Sequence, residues 1–73
     1  MRIVFPECTF NKTPNGWLLS SIKKNYTSKE WLLLKLHEIV KDHATVEFND
    51  DMYVVLKPYS EDDLNMLILE NGE

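Results

Sequence analysis

Cys8 is the single cysteine of the chain, so neither a disulfide nor a cysteine-rich metal site can hold the fold together. A secreted domain of 73 residues would normally carry several paired cysteines, and their absence indicates a reducing compartment. The core must therefore come from apolar side chains alone, and a chain of this length buries only about 60% of its unfolded surface. We expect one domain over residues 1–73, located in the cytoplasm.

The apolar segments are too short for a membrane or for a secretory signal. The first five residues lack the apolar run of a signal peptide. The longest unbroken apolar run is Trp31 to Leu34, whereas a membrane span needs about 20 such residues. We therefore expect no association with a membrane.

Residues 28–42 form the clearest predicted element, an amphipathic helix. Thr27 followed by Glu30 three residues later has the pattern of a capping box. The helix then carries one apolar stripe, which consists of Leu32, Leu36, Ile39 and Val40. Trp31 and Leu33 widen the apolar arc beyond one face, which indicates packing on two sides or a side left for a partner.

Residues 14–25 allow two interpretations. Thr13 and Pro14 suit a helix start, and Leu19, Ile22 and Tyr26 follow at helical spacing. Pro14, Asn15 and Gly16 also suit a hairpin turn, because asparagine and glycine tolerate positive φ. Strict alternation after the turn is missing, so we favour a helix and keep the hairpin as the alternative.

Strands are predicted on both sides of these helices. Residues 2–5 form a short strand that Pro6 ends, and residues 6–13 form a loop. Residues 44–57 form a β-hairpin whose turn is Asn49-Asp50-Asp51. A two-residue loop would place Phe48 opposite Tyr53 and Val46 opposite Val55 on one face, with Val54 and Leu56 on the other.

A last helix begins at Ser60, a good N-cap, and ends at Asn71-Gly72. Its apolar stripe is Leu64, Leu67 and Ile68, and a strand over 66–70 is the alternative. The predicted fold is therefore a small α+β domain in the order β-α-α-β-β-α, with a short antiparallel sheet packed by helices.

Charge is unevenly distributed along the chain. Residues 1–36 hold six basic and two acidic side chains, whereas residues 37–73 hold two basic and ten acidic ones. Such asymmetry either marks a binding face or disappears when the halves interleave in the fold. The candidate charged surface comprises Lys23, Lys24, Lys29, Asp50, Asp51, Glu61, Asp62 and Asp63.

No pattern of catalytic or metal-binding residues is present. The two glycines, Gly16 and Gly72, cannot build a phosphate-binding loop. His37 and His43 would lie about 120° apart on a helix, so they cannot chelate one ion together. A lone cysteine such as Cys8 is more often a small buried apolar residue than a nucleophile. We expect no enzymatic activity, no metal and no cofactor.

The large apolar residues favour a protein that acts by binding another protein. Trp17, Trp31 and Leu33 do not all fit the predicted core, and surplus aromatic residues are typical interface anchors. A homodimer is a further expectation, because an exposed apolar face can also pack against itself. Seven lysines against one arginine are typical of an AT-rich genome, such as that of a phage. We expect a small accessory or regulatory protein.

The alternative function is DNA binding. Over residues 14–57 the predicted order of helix, helix and hairpin resembles the core of the winged-helix family. That resemblance implies recognition by the helix at 28–42 and a wing tip at 49–51. Acidic side chains at a wing tip would be repelled by phosphate, so nucleic acid is the less favoured partner.

Overall fold

A computed structural model describes residues 1–50 and 53–73. Over these ranges it contains five strands in one antiparallel sheet, in the order β1-β2-β3-β5-β4, and two helices. The α+β class with a small antiparallel sheet is confirmed, and the predicted order β-α-α-β-β-α is wrong. The elements are β1 Arg2–Val4, β2 Cys8–Thr13, β3 Gly16–Ile22, α1 Lys29–Val40, β4 Ala44–Asn49, β5 Tyr53–Pro58 and α2 Glu61–Asn71.

The helix predicted at 14–25 and the loop predicted at 6–13 are both wrong, because residues 8–22 form the β2–β3 hairpin. Thr13 pairs with Gly16 across a two-residue turn. The Thr13 hydroxyl donates to the Gly16 carbonyl at 2.8 Å and accepts from the Asn15 amide at 3.1 Å. The side chain that suggested a helix cap therefore closes a hairpin turn instead.

A β-bulge in β3 explains the missing alternation. Leu19 pairs with Phe10, but Thr9, the residue before Phe10, pairs with Ser21. Ser20 is thus the extra residue, and its insertion brings Ile22 opposite the buried Cys8. A period-two pattern that slips by one residue resembles helical spacing when it is read along the sequence alone.

The β4–β5 hairpin is confirmed, but its predicted register is wrong by one residue. Phe48 pairs with Val54 and Val46 with Leu56, because three residues rather than two connect the strands. A shift of one residue exchanges the two faces of a strand. Val54 and Leu56 are therefore in the core, while Tyr53 is 52% exposed. Of the predicted turn, Asp51 lies outside the described residues.

One hydrophobic cluster holds the sheet and both helices together. The strands contribute Ile3, Phe10, Trp17, Val46 and Leu56, and the helices contribute Leu36 and Val40 from α1 and Leu67 from α2. Helix α1 packs mainly on β4, and α2 packs on β1 and β5. A second face of the sheet carries the row Arg2, Asn11, Leu18, Val55 and Glu47, one residue from each strand.

The helix ends follow capping rules. Ser28, not the predicted Thr27, caps α1, and its hydroxyl accepts from the Trp31 amide at 3.2 Å. Ser60 caps α2 as predicted, because its hydroxyl accepts from the Asp63 amide at 3.1 Å. At the other end of α2 the Gly72 amide donates to the Ile68 carbonyl at 2.7 Å.

Replacing Gly16 by alanine tests the hairpin. Gly16 has φ of 109°, a backbone conformation that residues with a Cβ rarely adopt. A Cβ at this position would lie 3.7 Å from its nearest neighbour, Val55 Cγ1, which is an ordinary contact distance. The cost is therefore backbone strain and not collision, and we expect Gly16→Ala to lower the free energy of unfolding by about 1–3 kcal/mol. Urea unfolding measures this free energy. The control Asn15→Ala, in the same turn, should change the free energy of unfolding by less than about 0.5 kcal/mol.

Two leucines of α1 test the orientation of that helix. Leu36 is 0% exposed and Leu34 is 55% exposed. We expect Leu36→Ala to lower the free energy of unfolding by about 2–5 kcal/mol, since it leaves a cavity in the core. Leu34→Ala should change the same quantity by less than about 0.5 kcal/mol. Equal losses in urea unfolding would contradict the described orientation of α1.

Candidate functional site

The outer side of α1 carries two large apolar side chains. Trp31 is 63% exposed and Leu34 is 55% exposed, and residues three apart on a helix lie on the same side. The inner side of the helix is occupied by the buried Leu36 and Val40. The sheet thus packs against one part of the wide apolar face of α1, and the part that carries Trp31 and Leu34 is exposed.

A cleft lies beside these two side chains. It has a volume of about 310 Å³ and is lined by the aromatic side chains of Tyr26 and Trp31 together with acidic and basic residues, which we call its rim. A second depression, of about 240 Å³, is lined by the same Trp31 and Leu34 and by Glu30. We define the Trp31 surface as Glu7, Lys24, Tyr26, Glu30, Trp31, Leu34, Lys35 and Glu38.

The rim of the Trp31 surface is held by ion pairs. The Lys35 ammonium lies 3.3 Å from a Glu7 carboxylate oxygen and 4.0 Å from one of Glu38. The hydrogen bond and the charge of Glu7 raise the pKa of Lys35, so this ammonium stays protonated. The Lys24 ammonium lies 5.9 Å from the centroid of the Tyr26 ring. The rim therefore carries charges of both signs around an apolar centre.

This composition is typical of an interaction surface. Single exposed apolar side chains are common, but adjacent ones beside a concavity with a polar rim are characteristic of contact sites. Tryptophan is also among the residues that contribute most energy at interfaces, since it buries a large area and loses little conformational entropy. The arrangement can accept an apolar side chain between Trp31 and the rim.

The three predicted contact residues have different positions. Trp31 lies on the surface, Leu33 is half-buried against the core, and Trp17 is only 4% exposed. Trp17 is buried because it pairs with Leu56 on the covered face of the sheet. We therefore exclude Trp17 from the surface, and we add Leu34, which fell outside the predicted apolar stripe.

The predicted charged residues differ in their exposure. Lys23, Lys24 and Lys29 are exposed, as are Asp50, Glu61 and Asp62, while Asp63 is half-buried and Asp51 lies outside the described residues. The two halves of the chain interleave in part, since Arg2 forms an ion pair with Glu73.

The environments of Cys8 and Asp63 differ from those of catalytic residues. Burial, with a smaller contribution from the charge of Glu7, raises the pKa of Cys8 to about 11, the opposite of an activated thiol. Asp63 lies between His43, whose Nδ1 is 3.0 Å away, and Ser60, whose hydroxyl donates to it at 2.8 Å. In a nucleophilic triad the imidazole occupies the middle position, so these three residues have a different arrangement.

Two kinds of feature are absent from residues 1–50 and 53–73. No group of three or more histidine, cysteine, aspartate or glutamate side chains is placed to hold a metal ion. Neither described helix is long and apolar enough to cross a membrane.

Comparisons of this chain with protein-family models, with curated proteins and with solved structures found no significant match.

The contacts of Asp63 predict how stability depends on pH. Hydrogen bonds from His43 and then Ser60 hold the pKa of Asp63 below its ordinary value of 3.8. Between the lower folded-state value and the ordinary one, the unfolded chain binds more protons than the folded chain. The stabilisation is therefore complete above pH 3.8 and is lost as the pH falls through the folded-state pKa.

We expect Asp63→Asn to flatten the dependence of the free energy of unfolding on pH over this acidic range. Asp62→Asn is the matched control, because it removes the same charge from the same helical turn. Urea unfolding at a series of acidic pH values gives the two slopes. Parallel curves for wild type and Asp63→Asn would show that the contacts to His43 and Ser60 do not affect the carboxylate.

Proposed function

We propose that the protein acts by binding another protein through the Trp31 surface, as a small accessory or regulatory protein of the cytoplasm with no catalytic activity of its own. The observation that carries the proposal is the exposure of Trp31 and Leu34, which lie side by side on α1 and line two depressions. The lysine-rich composition of the chain supports an origin in an AT-rich genome, such as that of a phage.

The geometry favours a partner that inserts an apolar side chain between Trp31 and the rim. Lys35 holds its position through Glu7 and Glu38, so the polar rim is organised before a partner arrives. Polar groups of the partner would pair with this rim and fix its orientation.

A second copy of the chain fits this surface less well. An antiparallel pairing of two α1 helices centred on Leu34 places Glu30 of one copy opposite Glu38 of the other, four residues on either side of the centre. Two like charges in apposition oppose association. A different protein is therefore the preferred partner.

The DNA-binding alternative has lost its main support. The resemblance to the winged-helix family rested on a helix at 14–25, but most of this range forms strand β3, Gly16–Ile22. The exposed lysines Lys23 and Lys24 still favour it, and the experiment below separates the two functions.

The proposed function is tested by affinity capture with a tagged chain from a lysate of the cell of origin. We expect wild type to retain one protein in stoichiometric amount after nuclease treatment, and Trp31→Ala to lose it. Truncation of a central interface tryptophan costs about 2 kcal/mol or more, which is about a 30-fold change in Kd. The captured protein is then purified, and its Kd for each variant is measured.

Tyr53→Ala is the matched control, because Tyr53 is also exposed and aromatic, at 52%, but lies on the sheet outside the Trp31 surface. Its Kd should equal that of wild type. Equal retention by Trp31→Ala and wild type would overturn the proposal. Loss of all retained protein on nuclease treatment would favour DNA binding instead.

A further inference from the structure

The outer side of α2 has a composition unlike that of the Trp31 surface. Residues Glu61–Asn71 contain four acidic side chains and no basic one, so the charge of this helix equals the net charge of the whole chain, −4. Leu69, 80% exposed, is the most exposed large apolar residue described, and Met66, three residues before it, is 41% exposed. An apolar pair thus lies within an acidic helix.

The charges around this pair are not neutralised by neighbouring elements. Among residues 1–50 and 53–73, Asp63 contacts His43, but no salt bridge joins Glu61, Asp62 or Glu70 to a base. Asp62 and Glu70 lie one turn before and one turn after Met66, on the same side of the helix. We define the α2 surface as Glu61, Asp62, Met66, Leu69 and Glu70.

We propose that the α2 surface binds a basic, amphipathic segment of a protein. The apolar side chains of that segment pack on Met66 and Leu69, and its lysine or arginine side chains pair with Asp62 and Glu70. Charge complementarity selects this occupant. An anionic membrane surface or a nucleic acid would be repelled by the four carboxylates. This surface is separate from the Trp31 surface, so its occupant need not be the same protein.

A second copy of the chain is a poor occupant. An antiparallel pairing of two α2 helices centred on Met66 places Asp62 of one copy opposite Glu70 of the other. Both ends of such a pair would therefore bring carboxylates together, with no base on either helix to separate them.

The test uses a fluorescent synthetic peptide of leucine and lysine whose leucines recur at helical spacing, and it measures Kd by fluorescence anisotropy. A second peptide, with serine in place of leucine, has the same charge. We expect the leucine peptide to bind more tightly than the serine peptide. Leu69→Ala should raise the Kd of the leucine peptide about tenfold and leave the Kd of the serine peptide unchanged.

Charge is tested by the double variant Asp62→Asn, Glu70→Gln. This variant should weaken the binding of both peptides and reduce its dependence on salt concentration, because two ionic contacts are lost. Tyr53→Ala, an exposed residue outside the α2 surface, should bind both peptides as wild type does. Since these substitutions are all at exposed positions, circular dichroism should show an unchanged fold.

The proposal is overturned if the leucine peptide does not bind, if both peptides bind equally, or if Leu69→Ala has no effect. The location is checked by amide chemical-shift changes in an NMR titration, which we expect to be largest over residues 61–70. Largest changes around Trp31 would overturn the α2 assignment and leave the proposed function intact. If Trp31→Ala instead retains the captured protein, the proposed function is overturned and the α2 assignment is left intact.

Discussion

The pairing between β3 and β5 is the contact on which the rest of the fold depends. It consists of two residue pairs, Trp17 with Leu56 and Leu18 with Val55. On one side of it lies the β1–β2–β3 meander, and on the other lies the β4–β5 hairpin, which follows α1 in the chain. Without this pairing the two antiparallel units would share no sheet, and α2, which packs on β1 from one unit and β5 from the other, would have no continuous surface on which to pack.

The same pairing aligns the core across four strands. Lys12, Trp17, Leu56 and Val46 form one row on the covered face. Trp17 is 4% exposed, and the Lys12 ammonium lies 5.8 Å from the centroid of its ring. A tryptophan at the centre of the sheet supplies a large share of the apolar area that so small a core requires.

The helices present their outer sides because the sheet uses only their inner sides. Leu36 and Val40 anchor α1, and Leu67 anchors α2. The outer sides differ in electrostatics: the Trp31 surface has a rim of mixed charge, whereas all the charged residues of the α2 surface are acidic. Rigid elements with different surface charge are suited to partners of different chemistry, and this difference is the basis of the two binding proposals.

How much of this was accessible from sequence differs between elements. Local signals were sufficient for α1, α2 with its Ser60 cap, and the β4–β5 hairpin, because periodicity and capping act within a few residues. They failed for β2 and β3, because the bulge at Ser20 interrupts the alternation and because a hairpin and a helix compete for the same Thr13 and Pro14 signals. The register of β4 and β5 failed because the connection is one residue longer than assumed.

By itself, the sequence determined the α+β class, the two helices that pack on the sheet and the surplus of large apolar residues. Tertiary structure alone decided which of those residues reach solvent. Trp17 is buried and Trp31 is exposed because one pairs with the distant Leu56 and the other lies on the side of α1 away from the sheet. Burial of a side chain is a property of the surfaces that meet it, and these come from parts of the chain that no local pattern connects.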